Sequence, residues 1–221
     1  MRLASPTADA GDELPLRILV IGDAACRRLE APLGERDPLP LRDGVAQALA
    51  ALNPILTVDV ADLPASGLRW TSAGGMSAGD VIAGVPAMAA GWKRRQALLG
   101  AGGCDRAAAD VEIALLGAWL SAQVEAILRL PQVARCDALW RTLTWLSALA
   151  SEAQGVDLHL LPATREEIEE DLGDAPDPAA SGLWRTVYDL EFGQHGGRPW
   201  SALLICGMPI GPSARDLALL R

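Results

Sequence analysis

The most informative stretch of this chain begins with ILRLPQVARCDALWRTLTWLSALA (Ile127–Ala150), continues with VDLHLLPATREEIEEDL (Val156–Leu172) and ends with SGLWRTVYDLEFGQHGGRPWSALL (Ser181–Leu204). Its patterns predict, in order, a helix pair, a short strand, an acidic helix, an aromatic-bearing helix, a glycine turn and an apolar strand. Thr164-Arg-Glu-Glu167 predicts a capping box at the start of the acidic helix. None of these landmarks is catalytic in type.

The order and type of these landmarks resemble the large sheath subunit of the bacterial type VI secretion system, the TssC or VipB family. The resemblance rests on Leu139-Trp140-Arg141, Val187-Tyr188, Glu191-Phe192-Gly193 and Gly196-Gly197-Arg198-Pro199-Trp200. It implies a cytoplasmic, non-enzymatic assembly protein without a cofactor. It also implies that such subunits interlock by sharing strands, with other sheath subunits or further copies of this chain as partners. An AAA+ ATPase that recycles the sheath is a further implied partner.

A second resemblance concerns the beginning of the chain, where LRILVIGD (Leu16–Asp23) resembles the opening strand of the small sheath subunit, TssB or VipA. We therefore expect a flexible tail over 1–14, a small-subunit-like domain over 15–100 and a partial large-subunit-like domain over 111–221. The glycine-rich segment Gly100–Asp110 is the predicted join. Because the rest of a large subunit does not follow, a sheath component, a sheath adaptor or regulator, and a truncated remnant all remain open.

The predicted fold class is α/β, with mixed sheets flanked by helices in two small sheath-subunit-like lobes. The run Leu16–Ile21 is almost continuously apolar, which is typical of a strand that is covered on both faces. We expect it at the centre of a sheet. Asp110 is the predicted N-cap of the helix that follows the join.

Composition restricts the possible partners. Half of the 221 residues are apolar and the net charge is −9, which argues against an affinity for nucleic acid. The apolar runs are too short to predict insertion into a membrane. The four cysteines are widely spaced and lack metal-site patterns, so we interpret them as small buried hydrophobic residues in a reducing compartment rather than as a zinc site or a disulfide framework.

A small serine hydrolase is the alternative from another functional class. Gly75-Met-Ser77-Ala-Gly79 satisfies the G-x-S-x-G pattern, in which a serine on a sharp strand-to-helix turn is activated by a histidine. No strong apolar strand precedes this motif, and Ser77 is equally suited to cap a helix. A triad would need an acid and a histidine from elsewhere, and the candidates are Asp157, Asp174, His159 and His195.

Seven tryptophans are the last unusual feature. Trp119, Trp140 and Trp145 fall on helical faces and are predicted to build the core. Trp70, Trp92, Trp184 and Trp200 include candidates for an interface anchor, because indoles are common hot spots. A domain that ends at Arg221 is expected to leave an apolar strand or helix face uncovered, with the turn Gly196–Trp200 and the strand Ala202–Cys206 near the join. The predicted interface residues are Trp200, Gly197, Pro199, Leu203, Leu204 and Trp184.

Overall fold

The computed structural model describes residues 16–60, 63–69, 75–85, 90–91, 93, 97, 106–153, 155–192 and 194–218. The strands in this part of the chain are β1 (Leu16–Gly22), β2 (Leu39–Pro40), β3 (Ile55–Val60), β4 (Leu63–Arg69), β5 (Val156–Pro162) and β6 (Ala202–Cys206). The helices are α1 (Ala46–Leu52), α2 (Ala78–Gly84), α3 (Arg106–Leu128), α4 (Pro131–Glu152), α5 (Arg165–Asp174), α6 (Gly182–Trp184), α7 (Leu190–Phe192) and α8 (Ala214–Ala218). A π-helical stretch, Arg185–Asp189, joins α6 to α7, and short 3-10 helices cover Leu33–Glu35 and Pro178–Ala180.

The main sheet has four strands in the order β2-β5-β1-β6. Strand β1 runs parallel to both β5 and β6, while β2 is antiparallel to β5. The strands β3 and β4 form a separate antiparallel pair. The mixed sheet and its helices confirm the predicted α/β class, and β1 is central in its sheet as its apolar run predicts.

Helices cover both faces of the main sheet. On one face, Val20 and Leu160 pack against the long helix α4 through residues such as Trp140, which is fully buried. On the other face, Leu19 and Ile21 pack with α5 and with the helical segment 182–192. Because successive strand residues point to opposite faces, the continuous apolar run of β1 follows directly from this double cover.

Local capping signals are also borne out. Thr164 accepts from the amide of Glu167 while the Glu167 carboxylate accepts from the amide of Thr164, which completes the predicted capping box of α5. Ser77 and Asp80 form the same reciprocal arrangement at the start of α2.

Asp110 is not an N-cap, because α3 already begins at Arg106. The alanine-rich turn before Asp110 has high helix propensity and extends the helix toward the N-terminus.

The expectation that the cysteines form no disulfide and the expectation that Trp119 and Trp145 build the core are wrong. Cys26 and Cys136 form a disulfide that ties the loop after β1 to α4. Trp119 and Trp145 are 39% and 61% exposed, although Trp140 is a core residue as predicted. Helical periodicity shows which residues share a face, but it does not show whether another element covers that face.

The predicted division into lobes over 15–100 and 111–221 stays a prediction. Residues 98–105, which contain most of the expected join, lie outside the described residues. The predicted tail over 1–14, Trp70 and Trp92 lie outside them as well. The main sheet draws β1 and β2 from before this segment and β5 and β6 from after it.

Within the described ranges, no single helix is long and apolar enough to cross a membrane. The segments Ile113–Leu128 and Pro131–Glu152 meet the length and composition test only as a pair, and they are bent by 75° at the break between them.

Candidate assembly interface

The strand β6 forms one edge of the main sheet. In the part of the chain that the structure describes, β6 is paired with β1 on one side and with no strand on the other. Its side chains Leu203, Leu204 and Ile205 are 48%, 37% and 51% exposed. An edge strand with unpaired backbone groups and exposed apolar side chains is a template for the addition of a further strand.

The exposed side chains of β6 lie on both faces of the sheet. Leu203 is the register partner of Leu19, and Leu204 is the partner of Val20 on the opposite face. The covering helices therefore enclose β1 but cover β6 only in part on both faces. An added strand with its own flanking side chains would extend both hydrophobic layers at once.

The turn 196–200 leads directly into β6 and depends on glycine. Gly196 has a φ of +90°, which favours glycine. A Cβ atom on Gly197 would lie 2.1 Å from the carbonyl oxygen of Glu191, so no larger residue fits there without a backbone shift. The Glu191 carboxylate also accepts a hydrogen bond from the Arg198 amide at 2.8 Å. Gly197 therefore shapes the approach to β6, and the neighbouring Pro199 is exposed.

Trp200 is enclosed by the chain itself and is only 8% exposed. The Arg17 guanidinium lies 3.9 Å from the centroid of the indole, and the His159 ring packs edge-on with centroids 5.1 Å apart. Sequence reasoning predicted Trp200 as an interface anchor. The structure places it among the residues that hold β6 on the sheet, with little indole surface available to a partner.

Charged groups fix the same end of the sheet. Arg17 donates to both carboxylate oxygens of Glu191, at 3.0 and 3.3 Å, in a partly buried bidentate pair. Buried Asp157 lies among Arg17, Arg42 and Arg198. His159 Nε2 is 3.2 Å from Asp157 Oδ1, but it lacks hydrogen-bond geometry. These contacts link the beginnings of β1, β5 and β6 to one another.

An exposed aromatic stripe lies on the helical segment 182–192. Trp184, Tyr188 and Phe192 follow one another at intervals of four residues, with 4.7 Å between neighbouring ring centroids. They are 39%, 43% and 52% exposed, while the intervening Val187 packs toward the core. Of the three rings, only Trp184 was predicted from the sequence as an interface residue. The spacing of the other two rings was a usable signal, because residues four apart share a helical face.

Residues 110–221 match the family model of the VipB family, described as the EvpB/VC_A0108 tail sheath N-terminal domain. The chain belongs to this family. No curated protein and no solved structure matches the chain. The tail-sheath match covers α4, α5, the aromatic stripe and β6, so the candidate interface lies inside the matched region. Membership supports a structural role in the sheath of a type VI secretion system, with other sheath subunits as partners.

In this tail-sheath chain the serine, acid and histidine candidates are not assembled as a triad. The Ser77 hydroxyl donates to the Asp80 carboxylate and accepts from the Asp80 amide as a helix cap. His159 instead lies beside Asp157 and Trp200 at the beginning of β5. Asp174 is the last residue of α5, and His195 is exposed in the glycine turn. The described residues contain no group of three or more His, Cys, Asp or Glu placed to hold a metal ion.

Proposed function

We propose that this protein is a non-enzymatic assembly component of a type VI secretion contractile sheath, which joins neighbouring subunits by strand addition at β6 and by helix packing beside it. The observation that carries the proposal is the uncovered edge strand. Leu203, Leu204 and Ile205 present apolar side chains on both faces, next to a free backbone edge in the described sheet. Main-chain hydrogen bonds would supply affinity, and the alternating side chains would supply specificity.

The aromatic stripe is the proposed site of helix packing. Its helix contacts the approach to β6 through Glu191, which pairs with Arg17 and accepts from the Arg198 amide. The stripe and the approach to the edge strand are therefore linked through Glu191. Trp184 and Tyr188 offer large rings with few rotatable bonds, which suit an interface that must form repeatedly.

The partners in this proposal are other sheath subunits, including further copies of this chain, in the cytoplasm. An AAA+ ATPase would disassemble the contracted sheath, as the large-subunit resemblance implies. The small-subunit resemblance of the range 15–100 belongs to the same proposal, and it adds that one chain combines features of both sheath subunits. A role as sheath adaptor or regulator would use the same surface.

Co-purification of the tagged chain with co-expressed type VI secretion sheath subunits tests the proposal. The informative variant is Leu203→Lys, which places a charge on the edge strand and opposes strand addition. Leu16→Lys is the matched control, because Leu16 is also 48% exposed but begins the central strand β1. We expect Leu203→Lys to lose most of the captured subunits and Leu16→Lys to retain them.

Light scattering of the isolated chain and thermal unfolding of both variants complete the design. Equal melting temperatures would show that the Leu203 substitution acts on association rather than on folding. A wild-type chain that stays monomeric and captures no sheath subunit would contradict the proposal, as would equal capture by the two variants.

A further inference from the structure

A cavity of about 270 Å³ opens at the opposite end of the sheet from the glycine turn. Its walls come from the ends of β1 and β6, represented by Asp23 and Gly207, and from the first turns of α4 and α5, represented by Arg135 and Glu166. The Cys26–Cys136 disulfide lines one side. None of the proposed interface residues lines this cavity.

The position of the cavity in the topology favours ligand binding. From β1 the chain reaches β5 on one side, and from β5 it crosses to β6 on the other side of β1. The carboxyl ends of β1 and β6 therefore flank a topological switch point, where open parallel sheets bind their ligands. A Cβ atom on Gly22 would lie 2.9 Å from the carbonyl oxygen of Cys206, so the two strand ends meet closely at the cavity floor.

Asp23 is the functional group that the rest of the structure leaves unexplained. The backbone of Cys26 and Arg27 lies near its carboxylate and partly lowers its pKa. Its Oδ1 atom is inaccessible to solvent and has no hydrogen-bond partner among the described residues. Burial, followed by the nearby charges of Glu167 and Glu166, raises the pKa of Asp23 to about 6. A carboxylate that lines the cavity and has no cationic partner among the described residues is suited to a cationic donor.

The charged residues around Asp23 leave its surroundings negative. Arg165, at the start of α5, is already bound by Asp216 and Glu169. Arg135 on α4 is exposed at the rim, and Arg36 is paired with Glu167. The Cys206 thiol on β6 has a pKa raised by burial and is neutral. The remaining walls include the apolar side chains of Leu56, Leu139 and Met208.

We propose that this cavity binds an ammonium or guanidinium group on an apolar stem, with the cationic nitrogen donating to the carboxylate of Asp23, which lines the cavity. The apolar walls would enclose the stem, and Glu166 at the rim would add a second negative charge. This site is separate from the proposed assembly surface and does not depend on it.

Two nearly isosteric probes test the charge directly, n-butylguanidinium and the neutral n-butylurea. Amide chemical shifts of the isotope-labelled full chain would be followed during titration with each probe. We expect n-butylguanidinium to shift the amides of Asp23, Cys26 and Gly207 and to bind at least about ten-fold more tightly than n-butylurea. Its affinity should fall about ten-fold for each pH unit below 6, because protonation of Asp23 removes the acceptor charge.

The key variant is Asp23→Asn, which retains an oxygen for the backbone amides but has no charge. It should abolish the preference for n-butylguanidinium and the dependence of affinity on pH. Asp43→Asn, an exposed substitution that does not line the cavity, should change neither. Equal binding of the two probes by the wild type, a retained preference in Asp23→Asn, or no binding at millimolar concentration would each overturn the proposal. The pH titration of the wild type keeps the test valid if Asp23→Asn does not fold.

A second arm distinguishes a free small molecule from the basic side chain of a partner protein. Sheath subunits would be captured by the chain in the presence of n-butylguanidinium and, separately, by Asp23→Asn. Reduced capture in both cases would identify a partner's lysine or arginine as the ligand. Unchanged capture, with the charge-dependent probe binding intact, would identify a free amine or guanidine. Both outcomes require that the cavity binds a cationic group at Asp23.

Discussion

Strands β1 and β6 are hydrogen-bonded neighbours with similar apolar sequences and opposite environments. Leu19 and Val20 of β1 are fully buried, whereas their register partners Leu203 and Leu204 are 48% and 37% exposed. Each β6 side chain continues the apolar layer to which its β1 partner belongs. The difference therefore arises from position in the sheet, because β1 is a central strand beneath the covering helices, whereas β6 is an edge strand of the described sheet that these helices cover only in part.

This contrast explains why β6 is suited to association. A two-faced apolar strand is ordinarily a buried strand, since exposed sheets alternate apolar and polar residues. The apolar sequence of β6 is typical of a buried strand, but β6 lies at the edge of the described sheet. A neighbouring subunit that adds a strand there would give Leu203 and Ile205 the enclosure that Leu19 and Ile21 already have.

The largest expected effect on stability is that of Leu19→Asp. It is compared with Leu203→Asp, because Leu203 is the register partner of Leu19 on β6. Leu19→Asp would bury an unpaired charge at a fully enclosed site, at a cost of several kcal/mol, so we expect an insoluble or unfolded chain. Leu203→Asp should change the free energy of unfolding by no more than about 0.5 kcal/mol. Thermal unfolding of both variants is the measurement. A normal transition for Leu19→Asp would contradict the enclosure of β1.

Trp200→Ala should have the next largest effect, because this side chain holds the beginning of β6 beside Arg17. Removal of a buried tryptophan leaves a cavity, and we expect a loss of about 3 kcal/mol in the free energy of unfolding. Trp145→Ala is the control, since Trp145 is 61% exposed and should cost less than about 1 kcal/mol. Chemical denaturation measures both. Equal losses would show that the Trp200 pocket contributes little to the position of β6.

The elements of this fold were predictable from sequence where the controlling interactions are local. The Thr164 capping box depends on a residue three positions away. The apolar run of β1 directly indicates a strand that is buried on both faces. The enclosure of Trp200 was not predictable, because it depends on Arg17 and His159, which are distant in sequence. The Cys26–Cys136 pairing was missed for the same reason. Neither periodicity nor spacing specifies contacts between distant elements.

The candidate site shows the same limit. The position of the apolar strand after the glycine turn was predicted together with Leu203 and Leu204, because turn and strand patterns are local. That β6 forms an edge depends on strand order, which a single sequence does not reveal. The cavity beside Asp23 was not anticipated, since its walls combine strand ends and helix starts from four parts of the chain.

A smaller effect on stability is expected from the ionisation of Asp23, which follows β1. The corresponding residue after β6 is the uncharged Gly207. Because the folded chain raises the pKa of Asp23 from 3.8 to about 6, folding favours the protonated form. The resulting stability is present below pH 3.8 and is lost as the pH rises to about 6, by about 1–2 kcal/mol after allowance for solvent screening. Comparison of the wild type with Asp23→Asn across this pH range isolates the contribution. Parallel stability curves would contradict the assigned environment of Asp23.

Hydrogen exchange of the β6 amides, measured for the isolated chain and for the chain assembled with its sheath subunits, tests the central claim most directly. The β1 amides should be protected in both states, because β1 has neighbours on both sides. We expect the outward-facing amides of β6 to exchange rapidly in the isolated chain and at least about ten-fold more slowly in the assembly. Assembly without any slowing in β6 would contradict strand addition at this edge.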